Sequence, residues 1–356
     1  LDKRGGAILE TLWFILLAFL FVGYTVLDGF DLGVGILFPL VAKSDDERRL
    51  ALNAIGPVWN GNEVWLVAAG GVLFFAFPKA YASALSGLYL AIFLVLWMLI
   101  LRALAVELRA QLDHPLWHTF WEMAFFVSSL ALALILGAAL GNLLRGFPLD
   151  DHGRFFLPLW TDLLPGIPTG ILDWYTGLVG ALAVVVLSLH GANFLVWKTG
   201  GEIQQRARAI ASRLVWVSGA LALLVFIVTP LNQSHVTERF LSHPLGLVFP
   251  LLALATWILL VAATRRGQSD ILPLGLSKSF IIALLGTAFF GLFPYLLIAR
   301  GNLSNNLTVF NAATTPYSLR VGLAWFIPGL LLIFAYMVYV YRSVWGKVKA
   351  TTGEGY

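Results

Sequence analysis

Three groups of polar residues interrupt long apolar stretches of this chain. The first is Asp28-Gly29-Phe30-Asp31, followed by Leu32-Gly33-Val34-Gly35. At helical spacing Asp28 and Asp31 share one face, and Gly29, Gly33 and Gly35 remove bulk so that a second helix can come close. Such a carboxyl pair suits proton exchange or a polar contact with a neighbouring helix; equally, both aspartates could sit at a membrane–water boundary. The second group is Gly56-Pro57-Val58-Trp59-Asn60-Gly61-Asn62-Glu63-Val64-Trp65. Pro57 suits a helix start, Asn60 and Glu63 share a face with Trp59 nearby, and Trp59 and Trp65 are candidate interface anchors. Glu63 lies inside an apolar run that continues through Phe77, as a carboxyl for proton exchange or as a hydrogen-bond hub between helices. The third is Arg102, Glu107 and Arg109. These charges could neutralise one another, neutralise Asp28 and Asp31, or form an interfacial belt with snorkelling arginines. Glu122 and Asn142 are weaker signals of the same kind. A charge at the centre of a span costs at least roughly 2.5–3.5 kcal/mol, which is why these residues carry the information.

Of six histidines, only His190 falls well inside an apolar stretch; His114, His118, His152, His235 and His243 lie in or beside connections. Buried haem iron needs His, Met or Cys axial ligands. With three methionines and no cysteine, the chain is poorly equipped to hold several haems alone, and no metal site is expected. A lone His190 reads as a hydrogen-bonded core residue in preference to a ligand. The absence of cysteine also removes disulfides, iron–sulfur clusters and thiol nucleophiles. No phosphate-binding loop, His-Glu-x-x-His or nucleophile elbow is present, so the chain alone looks catalytically silent.

The elements that must position these residues follow from composition. Of 356 residues 59% are hydrophobic and 12% charged, against about a quarter charged in a soluble domain. Mean hydropathy is +0.85, which excludes an ordinary soluble enzyme, a disordered chain and a nucleic-acid module. An all-α, polytopic membrane protein is expected. Stretches of about 20 apolar residues mark nine spans, near 8–40, 53–77, 80–109, 119–144, 168–197, 207–230, 244–264, 276–299 and 319–343. The first is too long for one perpendicular crossing and too long for a signal core, and it reads as a retained helix that tilts or extends. Counting Lys and Arg on alternate sides places eight with the N-terminus, Lys3, Arg4, Lys79, Arg145, Arg154, Arg239, Arg300 and Arg320. The other fifteen of 23, Lys349 among them, fall on the other side, so the N-terminus is expected outside and the C-terminus in the cytoplasm. Nine spans also divide as two groups of four with one left over. Leu27-Asp28-Gly29-Phe30-Asp31 is echoed by Leu189-His190-Gly191-Ala192-Asn193, each followed by a connection with arginines, Arg48/Arg49 and Arg206/Arg208. Duplication explains the echo; so does chance likeness between apolar helices.

The run Leu27–Gly35, then Glu47-Arg48-Arg49, then Gly56–Leu66 resembles subunit II of the cytochrome bd-type quinol oxidases. Gly-Gly ahead of Phe-Phe-Ala-Phe-Pro at 74–78, Tyr81, the Arg102…Glu107…Arg109 segment and, more weakly, Gly141-Asn142-Leu143-Leu144-x-Gly146 extend the likeness. It implies nine helices as two four-helix bundles plus one peripheral helix, with units at 1–150, 151–300 and 301–356. The implied partner is a homologous subunit I carrying haems b558, b595 and d (or b-type haems only). Small single-helix accessory subunits, lipids and sometimes a structural quinone accompany the pair. The implied complex, in a prokaryotic cytoplasmic membrane, oxidises quinol, reduces O2 to water and builds proton-motive force without pumping. Subunit II then supports the haem assembly and supplies a proton entry path through Glu63, Asn60, Asp28 and Asp31. A polar network of Trp59, Asn62, Arg102, Glu107 and Arg109 is expected around it, and the first two spans, rich in glycine and tryptophan, are candidates for the partner contact. One departure stands out: many family members carry aspartate where this chain has Asn60, which cannot titrate; Glu63 one turn on, the pair Asp28 and Asp31, or water around Asn60 then carries the proton, and Glu63 is the favoured carboxyl. A secondary transporter with duplicated bundles is the competing reading, and a purely structural scaffold a third.

Overall fold

The computed structural model describes residues 3–165, 169–267 and 269–348. Lys349, the rest of the tail to 356 and the expected start of the fifth span at 168 lie outside the described residues. Twelve α-helices are seen there. The first, α1 (Lys3–Val41), has 39 residues, about 58 Å at 1.5 Å per residue, well beyond a hydrocarbon core of about 30 Å. Next, α2 (Asp45–Ile55) forms where the sequence suggested mostly loop, because Ser44 and Glu47 close a reciprocal capping box. After the Gly56-Pro57-Val58 break come α3 (Trp59–Ala76), α4 (Pro78–Gly87) and α5 (Tyr89–Leu108). The single span expected at 80–109 is therefore divided. Leu157 N–H bonds the Gly87 carbonyl at 3.1 Å, and the Phe155 ring occupies the space a side chain at Gly87 would need.

Then follow α6 (Pro115–Arg145), α7 (Trp174–Lys198), α8 (Gly201–Asn232), α9 (Ser234–Ser242), α10 (Val248–Arg266) and α11 (Leu272–Leu292). Instead of running to 299, α11 stops before Phe293-Pro294. There the chain forms β1 (Tyr295–Leu297), antiparallel to β2 (Leu307–Thr308), with Tyr295 opposite Thr308. Among the described residues this ribbon is the one β-sheet, and α12 (Pro316–Ser343) follows it. Among the described residues eight segments are long and apolar enough to cross a membrane. The remaining expected span, at 53–77, corresponds to α3, which has 18 residues but carries Asn60, Asn62 and Glu63 in its first turns.

Burial grades the helices. In α7, 78% of the most apolar window is buried, against 6% in α12, so α7 is central and α12 peripheral. Helix α1 packs on α3 and α6, and α6 on α5; likewise α7 packs on α8 and α11, and α11 on α10. The two sets meet along α7, which packs on α6 and crosses α1. At that crossing the backbones of Gly33 and Gly191 touch, and Phe30 stacks on Phe194 with ring centroids 4.1 Å apart. Gly35 admits Ser129 of α6. The glycines of the first span are thus used inside the chain, not on an outer contact face, because their missing side chains are what lets α6 and α7 approach.

A methyl group at Gly33 would collide with the Leu187 carbonyl and the Gly191 backbone, neither of which can move alone. Gly33→Ala is expected to lower stability by about 1–3 kcal/mol. Gly70→Ala, with no heavy atom within 4 Å of the added carbon, is expected to be neutral or to stabilise by up to about 1 kcal/mol. Thermal melts of the detergent-purified protein compare the two.

Candidate functional site

Three helices bring charged side chains to one point. Arg102 on α5, 1% exposed, donates from Nη1 to Asp28 Oδ1 at 2.7 Å and from Nη2 to Glu63 Oε2 at 2.9 Å. Asp28 on α1 is wholly buried, whereas the Glu63 side chain on α3 keeps 19% exposure. Asp31, also wholly buried, gets no bond from the guanidinium; it accepts one from Asn62 Nδ2 at 2.8 Å. The Asn62 carbonyl in turn accepts from the Tyr341 hydroxyl of α12 at 2.9 Å. Tyr24, one turn before Asp28 and buried, completes the wall. Three carboxyls therefore face one guanidinium, with one oxygen of Asp28 and one of Asp31 lacking a protein partner.

Most of the sequence-derived residues meet here: Asp28, Asp31, Asn62, Glu63 and Arg102. Others do not. Asn60 is exposed and lines a groove of about 310 Å³ with Gly61, Val64, Tyr336 and Met337. Asn60 and Asn62 are two positions apart, about 200° around the helix, so when Asn62 faces inward Asn60 faces out. Trp59 packs in the apolar core beside Ile55 and Val58. Glu107 is exposed and forms no ion pair among the described residues, because its helical phase turns it away from Arg102. Arg109, 2% exposed, belongs to a separate group: it donates to Glu122 at 2.7 Å and to Asp45 at 2.6 Å, and Arg48 reaches Glu122 at 2.9 Å. Tyr24 and Tyr341 were not legible as members. Tyr341 lies 279 residues from Asn62, and only the docking of α12 joins them.

Two further polar groups sit at opposite ends of the helices. At one end Arg145 pairs with Asp173, takes Asn142 as a second partner and donates to the Gly170 carbonyl at 3.1 Å. At the other end, beyond the spans, Glu47 pairs with Arg206, and Asp270 with Arg208 at 2.7 Å and Lys347 at 3.0 Å. Burial alone would push the Asp45 carboxyl up, but the Arg109 hydrogen bond and charge, with Arg49 and His118, outweigh it and hold it below the ordinary value. Glu47 is held down in the same way by Arg206 and the Lys43 and Ser44 amides, and Asp270 by Lys347 and Arg208; burial is the largest single effect on each, but these partners together outweigh it.

His190 is fully buried, with Nε2 3.0 Å from the Val26 carbonyl and Nδ1 2.7 Å from Ser277 Oγ. Since a carbonyl can only accept, Nε2 carries the hydrogen and Nδ1 is left to accept from Ser277. Neither nitrogen is free for iron. No group of three or more His, Cys, Asp or Glu among the described residues could hold a metal ion.

The family model for cytochrome bd terminal oxidase subunit II matches residues 9–344. The chain is similar to the cytochrome bd ubiquinol oxidase subunit 2 of Bacillus subtilis, at 33% identity over 317 residues, covering 88% of this chain and 89% of the relative. It is also similar to the cytochrome bd-I ubiquinol oxidase subunit 2 of Escherichia coli K12, at 30% identity over 370 residues, covering 96% and 95%. Among solved structures, the bd oxidase from Geobacillus thermodenitrificans superposes with a TM-score of 0.73, 18% identity and coverage of 95% of this chain and 99% of that chain. That likeness is one of fold.

The ion pairs beyond the spans make stability depend on pH. A carboxyl whose folded value lies below its unfolded value stabilises fully above the ordinary carboxylate range, and the contribution vanishes as pH falls through the depressed value. The melting temperature is therefore expected to fall as pH drops from about 7 to below about 4. Arg206→Gln, which removes the main counter-charge of Glu47, should remove part of that fall; an identical pH slope in the variant would contradict the assignment.

Proposed function

Because the chain belongs to the cytochrome bd terminal oxidase subunit II family, we propose that it is the haem-poor subunit of a respiratory quinol:dioxygen oxidoreductase. In this reading it supports a homologous haem-bearing subunit I and supplies that subunit with a proton entry path from the cytoplasm. Haems b558, b595 and d (or b-type haems only) belong to subunit I, and quinol and O2 are substrates of the complex. The engagement of both His190 nitrogens supports this division, and no step is routed through haem in this chain.

One observation carries the proton path: Glu63, 19% exposed, is tied through Arg102 to the wholly buried Asp28. Full ionisation of three carboxyls beside one guanidinium would leave uncompensated negative charge in a dry site. Sharing protons among coupled carboxyls relieves it, and a cluster that exchanges protons in this way can pass them inward. Glu63 is the member that touches the surface, which suits it as the entry. Asn60 lies outside the cluster, and its amide cannot titrate.

The location of the entry follows from charge. Lys43, Arg48, Arg49, Arg206, Arg208, Arg265, Arg266 and Lys347 sit at the end where α1, α10 and α12 finish and α8 begins, and α3 starts there too. The positive-inside rule puts that end in the cytoplasm, with the N-terminus outside and the C-terminus inside. The repeated pairing, α1 with α3 and α6 against α7 with α8 and α11, supports two four-helix bundles with α12 peripheral, roughly 1–150, 151–300 and 301–356. The exposed apolar side chains of α3 and α12, among them Val64, Val67, Leu331 and Leu332, suit a contact with subunit I.

Purification of the tagged chain from native membranes in mild detergent tests the whole reading. Haem bands in the reduced-minus-oxidised spectrum, together with a second polytopic protein, are expected; a colourless, folded single chain would overturn it. Within the complex, Glu63→Gln is expected to lower oxidase turnover on the order of tenfold or more while haem content stays near normal. Unchanged turnover would remove Glu63 from the path.

A further inference from the structure

Asp31 stands apart from the other two carboxyls. Arg102 reaches Asp28 and Glu63, whereas the one hydrogen bond to Asp31 comes from the neutral amide of Asn62. An amide side chain has a donor end and an acceptor end, and a half-turn exchanges them. In the structure the Tyr341 hydroxyl donates to Asn62 Oδ1 at 2.9 Å, which fixes Nδ2 toward Asp31. Held that way, Asn62 can only donate to Asp31, a bond that favours the carboxylate over the acid. Released, it could turn and present Oδ1, which an aspartic acid carrying its proton would satisfy.

We propose that Tyr341 and Asn62 are positioning residues through which α12 sets the protonation of Asp31. This deepens the proton-path reading and rests on it for its functional meaning, but the geometry concerns Asp31 directly. Helix α12 is poorly buried along its length yet firmly tied just beyond Tyr341. Lys198 donates to the Val344 and Gly346 carbonyls at 2.6 and 2.9 Å, the Val348 N–H bonds the Lys198 carbonyl at 2.8 Å, and Lys347 pairs with Asp270 at 3.0 Å. Those ties hold the hydroxyl at its place. The other titratable or charged groups around Asp31 are Asp28 and Tyr24 on α1, Glu63 on α3 and Arg102 on α5. From α7, His190 is spent on Val26 and Ser277, and from α6, Glu122 is spent on Arg48 and Arg109.

The test is infrared spectroscopy of the intact two-subunit complex across pH, comparing wild type, Asp31→Asn, Tyr341→Phe and the double variant. The carboxylic-acid band lost in Asp31→Asn identifies Asp31. That band is expected to be stronger in Tyr341→Phe than in wild type at the same pH, with its titration displaced by about one pH unit, the tenfold change expected from one buried hydrogen bond of about 1–1.5 kcal/mol. Haem content should be unchanged. A band unaltered by Tyr341→Phe, or an equal change in the Asp31→Asn background, overturns the proposal. Turnover measured on the same samples separates the two ideas. An altered band with unaltered turnover keeps the positioning role and removes Asp31 from the path, whereas an unaltered band removes the positioning role whatever Glu63→Gln does.

Discussion

A guanidinium withdrawn from water must be met by anions from whatever helices surround it, and Arg102 is met by two, from α1 and α3. Breaking such a pair costs about 3–5 kcal/mol, because the surviving charge is left unpaired in a dry site. The requirement fixes the rotational phase of three helices together: α5 must turn residue 102 inward, α1 residue 28 and α3 residue 63. Once α3 is so turned, Asn62 falls beside Asp31 and Trp65 beside Gly23 of α1, while Asn60 is left outside. The polar centre and the packing of the first helices are therefore one arrangement.

The crossing of α1 and α7 supplies the second constraint. In the echo between residues 27–31 and 189–193, Asp28 corresponds to His190 and Asp31 to Asn193, and the two segments pack against each other through Gly33, Gly191, Phe30 and Phe194. The first segment carries charges and recruits Arg102. The other segment has neutral polar groups: His190 is satisfied by a backbone carbonyl and Ser277, whereas Asn193 Nδ2 is buried without a protein partner, which costs far less than an unpaired charge. An isolated charge in a span demands a counter-charge, whereas a neutral donor or acceptor needs only a hydroxyl or a carbonyl. That difference explains why the polar cluster lies in the first set of helices although the backbone pairing repeats in the second.

The positions of most spans were legible because about 20 apolar residues in a row have few other uses. The inward residues were legible where a charge had no cheap alternative, as with Asp28 and Arg102. Legibility failed where spacing alone had to choose a face: i, i+3 spacing puts Asn60 and Glu63 on one side, yet the structure turns inward the neighbouring face carrying Asn62 and Glu63. It failed also where tertiary contacts decide local structure. The loop residues Phe155 and Leu157 divide α4 from α5, and no pattern within 78–108 announces that break.

The peripheral helix shows how a weakly packed element can still be specific. Apolar packing gives α12 little orientation, since Leu319 and Met337 are its buried side chains. Polar groups do the orienting at its end. Lys198 donates to the carbonyls just past the last turn, where an α-helix has acceptors without intrahelical partners, and Tyr341 one turn earlier finds Asn62. Hydrogen bonds are directional where apolar contact is not, so two short polar contacts select one rotation of α12 about its axis. The same two contacts link the C-terminal end of the chain to the carboxyl farthest from the Arg102 guanidinium, the member of the cluster whose charge is least secured by a neighbour.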